Sequence, residues 1–231
     1  MFENESKNEE MLYGAYKKLK SYYHYNKNNL FLKKKIAEFE DDDFQMRESI
    51  KNLAKILENP VAFMSQIQNW IGKIGYYVLP KTFETVPNSE NIFVTGLTQD
   101  AAVTKVNFFI DMPIELHLLD TLWTVLVGKI VFDKKLLEEN CYGNCLDNYV
   151  IYNKSSDFLE SINFDKNKLF KIYFNQYCDW KNNAIDAAKF FYKEKKNTAL
   201  VSLDIKSFYY SVHWDFENLN RYIGEDKRLE S

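Results

Sequence analysis

Glycine and proline are scarce in this chain, seven and four among 231 residues. That excludes long turn-rich or low-complexity linkers. Cysteine is scarcer still: Cys141, Cys145 and Cys178 are the whole complement. An odd number, with no signal peptide ahead of it, points to a reducing cytoplasm rather than a disulfide framework. Cys141 and Cys145 stand four apart, with no histidine or second cysteine pair near enough to complete a zinc pattern. They are expected to be buried or incidental thiols. No apolar run reaches the ~20 residues of a membrane span. The longest, Leu116 to Phe132, is interrupted by Asp120 and Lys129 and reads as a buried helix. A glycine-rich phosphate loop, a Ser-His-Asp triad and internal repeats are all missing. The net charge of −3 is not the global footprint of a nucleic-acid binder.

What is abundant is aromatic: 16 Tyr and 18 Phe bring aromatic content to 16%. An AT-rich coding sequence accounts for such an excess as readily as function does. The length suffices for one or two cores. Charge is uneven along the chain. Met11 to Ile36 holds seven lysines and no acid, followed by Glu38, Glu40, Asp41, Asp42 and Asp43. Lys17, Lys18, Lys20, Lys33, Lys34 and Lys35 are therefore candidate phosphate contacts. The alternative is the solvated face of a helix.

Periodicity predicts a mainly helical α+β protein. Helices are expected over 8–25, 44–57 and 61–71, with Asn59-Pro60 as the break between the last two. Residues 30–39 read as a helix or an extended segment. Gly75 to Leu79 reads as a short strand ended by Pro80, and 83–100 as a loop holding a short strand at 92–95. Val103 to Ile110 is strand-like. Pro113 precedes the most apolar helix, 114–131. Residues 164–195 read as one long helix or two, 198–203 as a buried strand, and 207–220 as the start of further helix. His117 and His213 are expected to be ordinary surface or core histidines. Glu115 suits a helix start electrostatically, and Lys105 is expected to be solvated.

The segment richest in chemistry is Thr198 to Val212, where an apolar run leads into Asp204, followed by Ile205-Lys206-Ser207 and then Phe208-Tyr209-Tyr210. A carboxylate ending an apolar strand is costly to bury unless paired or bound to a cation. The bland alternative is a helix-capping aspartate.

Leu203 to Val212 resembles motif A of reverse transcriptases of the retron, group II intron and abortive-infection types. Asn107 to His117, Leu122-Trp123, Gly128 and Tyr142-Gly143-Asn144-Cys145-Leu146 resemble the fingers region of antiphage-defence members. Cys145 departs from that pattern, standing where an arginine is expected. Tyr173, Tyr177 and Trp180, followed by Ala184 and Ala187, resemble the helix leading into motif A.

The resemblance implies three regions: an N-terminal helical extension over 1–100, a fingers-like helical region over 101–195, and the start of a right-hand polymerase palm over 196–231. It implies RNA-directed DNA polymerase activity, with Asp204 as catalytic metal ligand and the Ile205 carbonyl completing the coordination of Mg²⁺. Tyr209, beside Phe208, would be the steric gate that admits dNTPs over NTPs. Implied partners are an RNA template, a DNA product, dNTPs and a companion subunit, with no membrane. The Tyr-x-Asp-Asp hairpin of such enzymes is missing, so the 231 residues are expected to be inactive alone: the N-terminal portion of a larger protein, half of a split enzyme, or a decayed gene. A non-enzymatic helical protein that binds nucleic acid or a partner is the other expectation.

Overall fold

The computed structural model describes residues 6–25, 29–85, 101–134, 141–143, 145–147 and 161–203, with single positions at 213, 215, 217, 218 and 221. It is mainly helical, with one two-stranded antiparallel sheet among the described residues. The elements are α1 (Lys7–Tyr25), α2 (Leu30–Glu40), α3 (Asp43–Leu57), α4 (Pro60–Ile71), β1 (Gly75–Thr85), β2 (Ala101–Asp111), α5 (Ile114–Asp133) and α6 (Tyr173–Lys193). Contacts divide the chain into two compact units, residues 1–9 with 28–119 and residues 10–27 with 120–231. β1 and β2 lie on either side of residue 100, the boundary drawn from sequence, and pair with one another.

In the first unit, short polar side chains start the helices. The Asn29 carboxamide accepts from Leu32 N at 3.0 Å. The Asp42 carboxylate accepts from Phe44 N and Gln45 N at 3.0 and 3.1 Å. The Asn59 side chain accepts from Val61 N and Ala62 N, with Pro60 in the first turn where its missing N–H costs nothing. Each such cap contributes about 1 kcal/mol. α3 buries Met46, Ile50, Leu53 and Ala54, one stripe at helical spacing, and packs against α2 and α4.

β1 and β2 form a ribbon running from Gly75↔Asp111 to Thr85↔Ala101. Pro80 does not end β1, as its sequence position suggested. The register shifts between Pro80 and Thr82, and a bulge on a strand whose other edge has no partner among the described residues is where proline is tolerated. One ribbon face, with Tyr76, Val78, Val106, Phe108 and Ile110, is exposed.

In the second unit, Val125, Ile130, Ile162 and Leu169 form a core with Tyr22, Leu126, Leu146, Phe164 and Phe170 packed on it. The helix expected from 164 begins only at Tyr173. Residues 164–172 are instead held by the Leu146↔Phe170 bridge, with Asp147 N donating to Leu169 O at 3.0 Å and Lys171 N to Cys145 O at 2.9 Å. Those long-range bonds occupy backbone groups that a helix would have used. Residues 198–203 are neither strand nor buried: Leu200, Val201 and Leu203 are exposed. An apolar run becomes a strand only beside a partner, and no described segment pairs with it.

Candidate functional site

α6 leads toward the aspartate of interest. It closes with a Schellman arrangement, in which Lys196 N donates to Phe191 O and Lys195 N to Tyr192 O, both at 3.0 Å. The closing residue, Lys195, has φ of 56°, a left-handed conformation more often given to glycine. The Lys196 ammonium sits 5.4 Å from the centre of the Phe191 ring. Beyond this turn, residues 197–203 run on without helix or strand. Asp204, Ile205, Phe208 and Tyr209, the candidate metal and nucleotide contacts, lie outside the described residues.

The six candidate phosphate-binding lysines do not act as one set. Lys17, Lys18 and Lys20 belong to the second unit, Lys33, Lys34 and Lys35 to the first. Lys18 is fully buried. Its ammonium donates to the backbone carbonyls of Asn163, at 2.9 Å, and Lys166. A side chain so enclosed cannot reach a phosphate, which removes Lys18 from the nucleic-acid set. Burial pulls its pKa down to about 8, against the opposing attraction of Asp165. Lys34 pairs with Glu38 at 3.3 Å, one turn on. Lys35 is tied to the Asp111 carboxylate and, at 2.8 Å, to Met112 O. Lys17 and Lys20 remain exposed.

The Lys35 pairing belongs to a node that periodicity did not reveal. Phe31 stacks on Tyr77, ring centres 4.0 Å apart, and Tyr77 also bonds Asp111. The Lys35 bond holds the Asp111 carboxyl below the usual range, aided by Tyr77, while the same Asp111 bond pushes the Tyr77 phenol up. Nearby His117 is buried on α5. Burial and the charge of Lys35 lower its pKa to about 4, so it is neutral across the physiological range. All partners in this node are satisfied, so it reads as a brace between α2 and the base of the ribbon.

No protein-family model, curated protein or solved structure matches the chain.

The segment around Tyr142 and Cys145 is organised by a residue that the sequence did not single out. Gln176, the buried residue of α6, accepts from Cys145 N at 3.1 Å and donates to Lys171 O at 3.0 Å. Asn183, two turns along α6, donates to the Tyr142 hydroxyl at 2.5 Å. The only signal for either was a polar residue on an aromatic-rich helix. All three cysteines are free, and Cys145 Sγ lies 3.0 Å from Cys141 O. Among the described residues no three acidic, histidine or cysteine side chains gather as a metal site, and no helix is long and apolar enough to cross a membrane. His213 is exposed, Lys105 is exposed on β2, and Glu115 lies in the first turn of α5.

Proposed function

We propose that this chain contributes motif A to an RNA-directed DNA polymerase of the antiphage-defence kind. The observation that carries the reading is the run Leu203-Asp204-Ile205-Lys206-Ser207-Phe208-Tyr209-Tyr210-Ser211-Val212. A carboxylate after an apolar run, an adjacent carbonyl and a following aromatic pair supply, in order, a metal ligand, a second oxygen donor and a sugar gate. Support comes from the aromatic helix that closes at Lys193, which stands where the resemblance puts the helix leading into motif A.

Asp204 and the Ile205 carbonyl are hard oxygen donors of the kind Mg²⁺ takes, though one carboxylate underfills such a site. When bound, the metal would supply charge stabilisation for nucleotidyl transfer. A complete site of this kind would need further carboxylates, and the 231 residues contain no Tyr-x-Asp-Asp sequence. The chain's own part is to hold Asp204 at the end of its segment and to set Tyr209 against the sugar.

The test is primer extension by the protein expressed from its native locus with all flanking coding sequence. Asp204→Ala should lower dNTP incorporation by roughly 10³-fold, the loss of several kcal/mol of charge stabilisation, with the circular dichroism spectrum unchanged. Tyr209→Ala should raise NTP use relative to dNTP. Incorporation by Asp204→Ala at the wild-type rate would remove the assignment.

A further inference from the structure

α6 carries a seam without a described partner. Tyr173, Tyr177, Trp180, Ala184, Ala187 and Phe191 recur at intervals of four, three, four, three and four, the spacing of a coiled-coil stripe. The four aromatic members are 42–71% exposed, and Gln176 is the buried residue of the helix. Phe174 and Phe190 flank the seam at 69% and 59% exposure. At ~150–250 Å² per aromatic side chain, these six aromatics offer roughly 600 Å² per copy. A symmetric pair would cover about 1,200 Å², above the ~1,000 Å² that a specific interface needs.

The order of sizes along the seam selects the occupant. Large residues fill the first half, and two alanines precede the last large one. We propose that α6 pairs with α6 of a second copy of this chain, antiparallel, about a twofold axis level with Asn182. That pairing sets Trp180 against Ala184 of the other copy, Tyr177 against Ala187 and Tyr173 against Phe191. Every contact then joins a large residue to a small one, except the outermost aromatic pair.

A parallel pairing in register sets Trp180 on Trp180 and Ala184 on Ala184. It overfills one layer and leaves a void in the next, and both are destabilising. Antiparallel packing also opposes the two helix dipoles. Lys181 is the one charged residue flanking the axis, and it meets its own counterpart there. Association should therefore tighten as salt screens that repulsion. The proposal is independent of the polymerase reading, since it uses no residue assigned to catalysis.

The test is sedimentation equilibrium of the 231-residue chain over a concentration series. The average mass should climb from 27.5 kDa toward twice that value. Trp180→Ala and Ala184→Trp, made singly, should each weaken association by about tenfold or more. The double variant swaps large for small in the same layer and should return to within a few-fold of wild type, a recovery that a folding defect cannot imitate. Ala187→Glu, a charge at an already exposed position, should also disrupt the pair and keeps the test open if a tryptophan change unfolds the chain. A single-chain mass up to the solubility limit would assign the seam to a different protein and overturn the proposal. So would a dimer indifferent to these substitutions, or a double variant no better than the singles.

Discussion

Replacing Lys18 with methionine separates the charge of a buried lysine from its shape. The ammonium is enclosed, with the Asn163 and Lys166 carbonyls as acceptors and Asp165 and Asp147 as nearby acids. Its pKa falls from 10.5 to about 8, chiefly through desolvation. Between those values the unfolded chain holds a proton that the folded chain has shed. Unfolding free energy therefore rises with pH across the window from about 8 to 10.5, by on the order of 2 to 3 kcal/mol, and is flat below it. The neutral amine still donates to both carbonyls, so the enclosure survives the proton's loss. At pH 7, Lys18→Met relieves the cost of the buried charge but leaves two carbonyls without a donor, about 1–3 kcal/mol for each. The two effects nearly cancel, and neutral-pH stability should differ by no more than about 2 kcal/mol. The diagnostic is the difference between urea unfolding curves of wild type and Lys18→Met, followed by tryptophan fluorescence from pH 7 to 10. Groups common to both chains drop out of that difference. Wild type should gain steadily on the variant above pH 8. Parallel curves would show that Lys18 is solvated and refute the reasoning.

Gly14→Ala should be strongly destabilising, because a Cβ there would lie 2.5 Å from the Phe164 ring and 2.6 Å from its Cβ. The ~1 kcal/mol gained in helix propensity should be outweighed by about 1–3 kcal/mol of overpacking, visible as a lower urea midpoint. Lys195→Gly should act in the opposite direction. It relieves a left-handed residue at the end of α6 and should raise thermal stability by up to about 1 kcal/mol, read by calorimetry. His117 gives an acid-side signature. Its folded pKa near 4 lies below the ordinary 6.5, so the unfolded chain binds the extra proton and stability falls as pH drops from 6.5 to 4. His117→Asn should lose that slope, on the order of 2 to 3 kcal/mol, in denaturation series at pH 4 to 7.

Where a sequence signal is local, it survives into the structure. Asp42 and Asn59-Pro60 mark helix starts by chemistry that needs no distant partner, and α3 and α4 begin there. α1 follows from apolar periodicity, and α5 from a long apolar run placed after Pro113. Long-range bonds were not legible. Nothing near Phe164 announces that Cys145, Asp147 and Gln176 will bind the 169–171 backbone and delay α6 to Tyr173. The lysine run shows the same limit for the candidate site. Lys17 and Lys18 are neighbours of one type, yet one meets water and the other two carbonyls more than a hundred residues away. Motif A stood out in the sequence because its residue types, in that order, carry their own chemistry.

The aromatic excess shows what hydrophobic patterning can and cannot state. Leu200, Val201 and Leu203 read from sequence as a buried strand, and the rings of α6 are likewise apolar surface that is costly in water. In the fold they are exposed. Patterning says that such a surface will be covered and is silent on what covers it. Size order is the additional information. An apolar stripe of uniform residues would fit many partners equally, but one with its bulk at one end and alanines toward the other fits its own reverse. The proposed pairing uses that asymmetry. The Trp180 and Ala184 exchange tests it directly, because only a partner carrying the same stripe in the opposite direction would recover when both positions change together.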